Sequence, residues 1–358
     1  MKEYIFVLGR DSALSLLEIA SFLKSRKIIH RIGEYNDFYV AVEADNLDSS
    51  YIISRLGGTL KIAEVVKNFN GLYNGKKNKI TYTINVFTDN EGIVRDAESR
   101  LKKVFKEQGL RAFYRKHLEK RPSRSSLIDV EIVVAGDRVG RVVAVSNPKS
   151  YISRDEKRPN FDAAKVISLR LARILINLSE IKEGQTLLDP FCGLGTIMQE
   201  ALLMGVNAVG VDNDKETVRK AGENLRWLGS QHNGKWKIIE GDSKRLSNYI
   251  READAVVTEP YMGPYMKKIF DYESALKLKN ELEKLYYNVL VELRKIVKGK
   301  VVFVFPRFKT KKGRVKINAA AIIEKTGFKI YSSFKGVGMP IPYFHKRSVV
   351  ERMIYVLE

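Results

Sequence analysis

Hydrophobic and polar positions change period several times along the chain, and the changes mark its elements. Tyr4–Leu8 is a short apolar run ended by Gly9-Arg10-Asp11, which predicts a strand and a turn. From Ser12 to Ser25 the apolar side chains of Leu14, Leu17, Ile19, Ala20 and Leu23 fall on one helical face. Ile28–Ile32 and Asp37–Val42 read as strands, Leu47–Leu56 as a helix stopped by Gly57-Gly58, and Ile62–Val66 as a closing strand. Strand-helix-strand-strand-helix-strand is a ferredoxin-like order, so residues 1–65 are expected to form a ferredoxin-like domain that serves as scaffold.

A second α+β unit is expected over residues 66–150. Lys79–Val86 is strand-like, Glu91–Gln108 is an amphipathic helix ended by Gly109, and Ala112–Arg115 reads as a strand. Asp129–Ala135 and Val139–Val145 predict a hairpin around Gly136-Asp137. Residues 151–163 are polar and carry a proline, so a linker is expected there, leading into a helix over Ala164–Leu178. From Thr186 onward strand and helix alternate: strands at Leu187, Ala208, Trp236, Ala255 and Val301, with helices Ser274–Val297 and Ala319–Thr326. Lys329–Lys335 and Ser348–Leu357 are expected to close the sheet antiparallel. Residues 164–358 thus predict an α/β domain with a mostly parallel sheet, Rossmann-like in its alternation.

Composition narrows the class. The chain has 358 residues, 44% hydrophobic and 29% charged, and no apolar run long enough to cross a bilayer. Its N-terminal segment reads as a strand, not a leader. One cysteine, Cys192, excludes an internal disulfide and suits a reducing cytoplasm, and four scattered histidines make no metal-ligand cluster. The net charge of +21, from 63 basic and 42 acidic residues, favours a polyanionic partner. Basic residues mix with aromatics around Arg111, Tyr114, Arg115, Lys116 and Arg121, which suits an RNA backbone and unstacked bases. A second basic stretch holds Arg307, Lys309, Lys311, Lys312 and Arg314 in a predicted loop.

Candidate chemistry gathers at strand ends. Leu187-Leu188-Asp189 leads into Pro190-Phe191-Cys192-Gly193-Leu194-Gly195-Thr196, a strand, a Gly-rich turn and a helix start. Such a unit binds a nucleotide-like ligand at the carboxyl end of its strand, where the glycines admit close approach. No Gly-Lys-Ser/Thr ends the turn, so it is not a phosphate loop, and the charge of Asp189 suits an ammonium group. The next strands end at Asp212, Asp242 and Thr258-Glu259-Pro260-Tyr261. Three acids on one sheet edge match the ammonium, ribose diol and adenine amine of S-adenosylmethionine.

The Asp189–Thr196 turn resembles the Asp-Pro-Phe-Cys-Gly-x-Gly-Thr loop of Rossmann-like methyltransferases acting on exocyclic amines of nucleic acids. Arg158-Pro159-Asn160-Phe161, Leu169–Arg173 and Asn177-Leu178 resemble the lead-in of the THUMP-containing tRNA guanosine N2-methyltransferases, the position-10 enzymes among them. The resemblance implies an α/β fold: a seven-stranded Rossmann-like methyltransferase domain preceded by a ferredoxin-like and THUMP region. It implies transfer of a methyl group from S-adenosylmethionine to a guanosine N2 amine of tRNA, most naturally at position 10. Residues 66–150 would be the THUMP domain that docks the RNA. Some members are activated by a small zinc-bearing subunit, so such a partner is admitted here. Cofactor-contacting positions carry over to Phe161, Asp189, Phe191, Gly193, Gly195, Thr196, Asp212, Asp214, Asp242 and Ser243. The target amine would be held by Thr258, with Glu259 as second acceptor, and Tyr261 after Pro260 would stack on the base. The family motif is Asp/Asn/Ser-Pro-Pro-aromatic, whereas this chain reads Thr258-Glu259-Pro260-Tyr261. Two alternatives stay open at this point: a DNA exocyclic-amine methyltransferase, and a catalytically altered protein that binds RNA and S-adenosylmethionine.

Overall fold

The computed structural model describes residues 1–67, 69–70, 72–115, 128–162, 167–264, 268–344 and 348–358. Two compact units form, one from residues 1–16 and 27–150, the other from residues 17–26 and 151–358.

The first unit contains β1 (Lys2–Leu8), α1 (Ser12–Ser25, shared between the units), β2 (His30–Tyr35), β3 (Tyr39–Ala44), α2 (Ser49–Arg55) and β4 (Thr59–Val65). It continues with β5 (Lys79–Phe87), α3 (Glu91–Glu107), β6 (Arg111–Tyr114), β7 (Val130–Ala135) and β8 (Arg138–Val145). The helices begin where side chains satisfy their unpaired backbone donors: Asp48 accepts from Tyr51 N at 2.9 Å, and Asn90 accepts from Gly92 N at 3.0 Å. All eight strands lie in one sheet, ordered β2-β3-β1-β4-β8-β7-β5-β6. The first four are mutually antiparallel in the ferredoxin-like order. The border expected at residue 65 therefore falls inside a continuous sheet, because β8 pairs antiparallel with both β4 and β7. That junction is also bonded through side chains. Lys61 on β4 is buried, forms an ion pair with Glu131 on β7, and donates to Asn85 Oδ1 on β5 at 3.2 Å.

The second unit holds α4 (Pro148–Lys157, entering from the first unit's last residues), α5 (Leu169–Leu178), β9 (Thr186–Asp189), α6 (Thr196–Leu203), β10 (Asn207–Asp212), α7 (Lys215–Leu228) and β11 (Trp236–Glu240). Then come β12 (Ala255–Thr258), α8 (Tyr272–Ile296), β13 (Val301–Thr310), β14 (Gly313–Lys316), α9 (Ala319–Lys325), β15 (Ile341–Tyr343) and β16 (Val350–Leu357). The sheet runs β11-β10-β9-β12-β13-β16-β15, with β14 paired to β13 off this path. Its first five strands are parallel, β16 alone runs against them, and β15, antiparallel to β16, runs with the first five, so the carboxyl ends of β9 to β12 share one edge. Strands buried on both faces read as continuous apolar runs: Leu187, Leu188, Val256, Val257 and Val301–Val304 are fully buried. Each such apolar side chain contributes roughly 1.5–3 kcal/mol.

Three sequence-based expectations change. Most of the expected linker is helix α4, whose Arg154 joins Arg173 of α5 on the fully buried Glu200 of α6, at 2.8 and 2.6 Å. The helix expected from Ala164 begins at Leu169 in α5, with Ser168 accepting from Leu171 N; residues 163–166 lie outside the described ones. Lys329–Lys335 makes only a short pairing with the end of β16, because Ser332 Oγ donates to Phe334 O and Val337 O and turns the chain away. The buried Ile341 and its neighbours in β15 take the edge position instead.

Candidate active site at the carboxyl edge of the sheet

Asp189 ends β9 and is 1% exposed. Its Oδ1 accepts from Thr258 Oγ1 at 2.9 Å and from Phe191 N at 3.2 Å. Burial pushes its carboxyl up to about 7, against the opposing effect of these two hydrogen bonds; the charges of Asp212 and Glu259 add to the rise. The turn that follows needs left-handed backbone at Gly193 and Gly195, with φ of 50° and 80°. A Cβ at position 193 would meet nothing within 4 Å, so this side of the turn is open. Thr196 starts α6 directly after Gly195. The turn lies against β10 through a backbone bond from Cys192 N to Val211 O. Gly210 leaves room for this: a Cβ there would lie 2.8 Å from Cys192 Sγ and 2.4 Å from Met198 Sδ.

Asp212 ends β10 beside the turn. Its Oδ2 accepts from Gly193 N at 3.0 Å and its Oδ1 from Asp214 N at 3.1 Å. Asp214 caps α7 by accepting from Thr217 N. Asp242 follows β11, is half-exposed, and accepts from Lys244 N. The buried Ser243 donates to Pro190 O, joining the third strand end to the first turn. Asn224 of α7 ties two segments together, donating to Leu194 O and to Asn160 O at 3.0 Å each. Beside Asn160, Phe161 is 54% exposed, and its ring covers the guanidinium of Arg158, which donates to Thr196 Oγ1 at 3.1 Å.

At the end of β12, Thr258 is fully buried and Glu259 lies next to Arg352 of β16, whose Nε donates to Glu259 Oε1 at 2.7 Å. Pro260 is buried and Tyr261 is 53% exposed. Tyr286 of α8 donates its hydroxyl to Tyr261 O at 2.7 Å, which fixes the backbone of the turn. The hydroxyl of Tyr286 is held protonated by its burial and by the nearby charge of Glu259.

The structure thus brings Asp189, Phe191, Gly193, Gly195, Thr196, Asp212, Asp214, Ser243 and Thr258–Tyr261 to one edge, through the contacts just given. Arg352, Tyr286, Arg158 and Asn224 complete it and were not singled out from the sequence as site residues. Only Arg158 and Tyr286 carried any signal, the first as part of the lead-in stretch and the second as an aromatic on the inner face of a long helix.

The basic candidates separate differently. Arg111 and Tyr114 lie on the edge strand β6, with Arg115 immediately after it; all three are exposed. Lys116 and Arg121 lie outside the described residues. The second basic stretch is a β13–β14 hairpin and not a loop, closed by Thr310 Oγ1 donating to Gly313 O. Arg307, Lys309 and Arg314 all face the fully buried Glu351, Lys309 at 3.7 Å and Arg314 at 3.1 Å. Lys311 and Lys312 stay exposed at the tip. Among the described residues, no helix is long and apolar enough to cross a membrane.

A mostly parallel sheet with acids at successive strand ends and a Gly-rich turn between the first strand and its helix defines a Rossmann-like nucleotide-binding domain. Residues 156–327 match the family model of the RMKL-like methyltransferase domain, and residues 42–223 match that of the DNA methylases. The chain belongs to the S-adenosylmethionine-dependent methyltransferases that these models describe. A tRNA (guanine(10)-N2)-dimethyltransferase of Methanothermobacter thermautotrophicus is 40% identical over 123 residues, 34% of this chain and 35% of that protein. One from Pyrococcus abyssi is 24% identical over 212 residues, 59% of this chain and 55% of that protein. The chain therefore spans between about a third and just over half the length of these curated relatives. Among solved structures, TrmN from Thermus thermophilus aligns over 99% of both chains with a TM-score of 0.54 at 14% identity, a likeness of fold.

Proposed function

We propose that this chain is a cytoplasmic tRNA methyltransferase that moves a methyl group from S-adenosylmethionine to the exocyclic N2 amine of a guanosine, at position 10. The observation that carries this reading is the shared edge: the open Gly193 turn and Asp212 beside the Pro260-Tyr261 turn held by Tyr286. The relatives' names supply the base and its position. The residues fit the cofactor, since the turn exposes backbone where a ligand must approach closely and the acids offer acceptors for its ammonium, ribose and adenine amine. Asp189 and the backbone of Gly193 and Gly195 would face the methionine part, Asp212 and Asp214 the ribose, and Asp242 with Ser243 the adenine; Phe161, Phe191 and Thr196 would line the same site. When bound, the cofactor supplies an electrophilic methyl on a sulfonium.

The chain's own residues supply position. A purine amine is a poor nucleophile because its lone pair is delocalised into the ring, so the barrier falls through orientation and through acceptors aimed at its N–H groups. Tyr261 would stack on a base that has left its helix. The methyl would pass to N2, the carbon–sulfur electron pair would stay with sulfur, and N2 would release one proton. Residues 66–150, as a THUMP-like domain, would dock the tRNA with Arg111, Tyr114 and Arg115. The exposed Lys311 and Lys312, with what charge Glu351 leaves on its three partners, would add a second contact.

The test is a methyl-transfer assay with labelled S-adenosylmethionine and unmodified tRNA transcripts, with product nucleosides identified by mass spectrometry. N2-methylguanosine supports the reading and its mapping gives the position; methylated DNA instead would support the second reading that the DNA methylase match favours. Adding no other protein tests whether a small activating subunit is required.

A further inference from the structure

The residue after Thr258 departs most from the family motif, and its surroundings suggest why. Thr258 is fully buried and spends its hydroxyl hydrogen on Asp189. Glu259 is mostly buried, with 13% of its side chain accessible. Arg352 reaches it from β16, between β13 and β15, and its Nε donates to Oε1. Among the described residues Oε2 accepts no hydrogen bond. The residue stands at the carboxyl edge of the sheet, directly after Thr258, the last residue of β12. Two residues on is Tyr261, exposed and with its carbonyl held by Tyr286.

We infer that Glu259, aligned by Arg352, reads the Watson–Crick edge of the target guanine and accepts from the amine to be methylated. This rests on the methyl-transfer reading above. Guanine presents N1–H and N2–H as adjacent donors, and a carboxylate is a pair of acceptors at matching spacing. Each carboxylate oxygen accepts two hydrogen bonds, so Oε1 takes Arg352 and a base donor together. Adenine presents an acceptor at N1 beside its amine, and its lone pair would face a carboxylate oxygen with no proton between them. A buried acceptor left unpaired rejects the wrong base more strongly than a missing apolar contact does. Glu259 is thus a specificity-determining residue, and Arg352 is a positioning residue that acts through it.

The experiment compares wild type with E259Q, R352M and R352K. Glutamine keeps the length but offers one acceptor, and its amide N–H₂ would confront guanine N1–H. Short single-stranded RNAs that differ only in one central guanosine or adenosine are titrated by fluorescence anisotropy without cofactor. Wild type should prefer guanosine by about tenfold, and E259Q should narrow this to within about twofold. R352M should lose part of the preference and R352K should restore part of that loss. In parallel, methyl transfer to tRNA should fall in E259Q mainly through kcat. A wild type that makes N2-methylguanosine, with E259Q keeping the guanosine preference, overturns this inference alone. A wild type that makes no N2-methylguanosine overturns the functional reading, and the inference with it.

Discussion

Replacing Asp189 with asparagine tests the electrostatics of the turn. The carboxyl is buried and raised from 3.8 to about 7. Between these values the folded chain keeps a proton that the unfolded chain releases. The folded state therefore binds more protons there, and stability falls as pH rises, with the loss complete above the folded value. From pH 5 to pH 8, through the folded value, the change is about two units at about 1.4 kcal/mol each, roughly 3 kcal/mol. Asparagine cannot ionise, yet its Oδ1 still accepts from Thr258 Oγ1 and Phe191 N, as in the wild type. Wild type should thus lose roughly 3 kcal/mol more than D189N between pH 5 and pH 8. Both tryptophans, Trp227 and Trp236, belong to the second unit, so urea unfolding followed by their fluorescence reports that unit directly. Other titrating groups cancel in the difference between the two proteins. Parallel pH profiles for wild type and D189N would refute the reasoning.

Other perturbations follow from the same contacts. Asp212→Ala removes the acceptor of Gly193 N and Asp214 N and, on our reading, of the ribose; cofactor affinity by calorimetry should drop about tenfold. An unchanged affinity would show that Asp212 only shapes the turn or does neither. Tyr261→Ala should lower methyl transfer by about a hundredfold or more while leaving cofactor affinity alone, and full activity would remove the stacking role. Lys61→Met strands Glu131 without its cation in the first unit, at a cost of about 3–5 kcal/mol. Thermal denaturation by circular dichroism measures this, and an unshifted first-unit transition would contradict it.

What the sequence discloses is what lies close along it. The turn from Asp189 to Thr196 is written in consecutive residues, and its glycines occupy the left-handed positions that the motif requires. The strand order of residues 2–65 follows from alternation and short connections, which leave few ways to pair four strands. Partners distant in sequence are a different matter. Glu259 and Arg352 are 93 residues apart, and nothing in either neighbourhood announces the other. The stretch from Arg307 to Lys316 reads as uncompensated charge because Glu351, which three of its cations face, belongs to another strand. Likewise the polar residues of α4 suggest a solvated connection until Glu200 is known to be buried beneath Arg154. The pairing of β16 with Ile341–Tyr343 was hidden for the same reason: both candidate segments are short and apolar enough to serve.

The place of β16 has a consequence for how the protein is made. It lies inside its sheet, between β13 and the edge strand β15, although the ribosome delivers it after every other described strand there. While Val350–Leu357 are still in the exit tunnel, the nascent chain carries the whole glycine turn, but the flank of β13 that β16 will cover presents bare amide and carbonyl groups. The same late strand brings Arg352 to Glu259 and Glu351 to the basic hairpin. Stalled or prematurely terminated translation would therefore yield a sticky intermediate with neither charge cluster assembled, one that chaperones and proteases can distinguish from the finished protein.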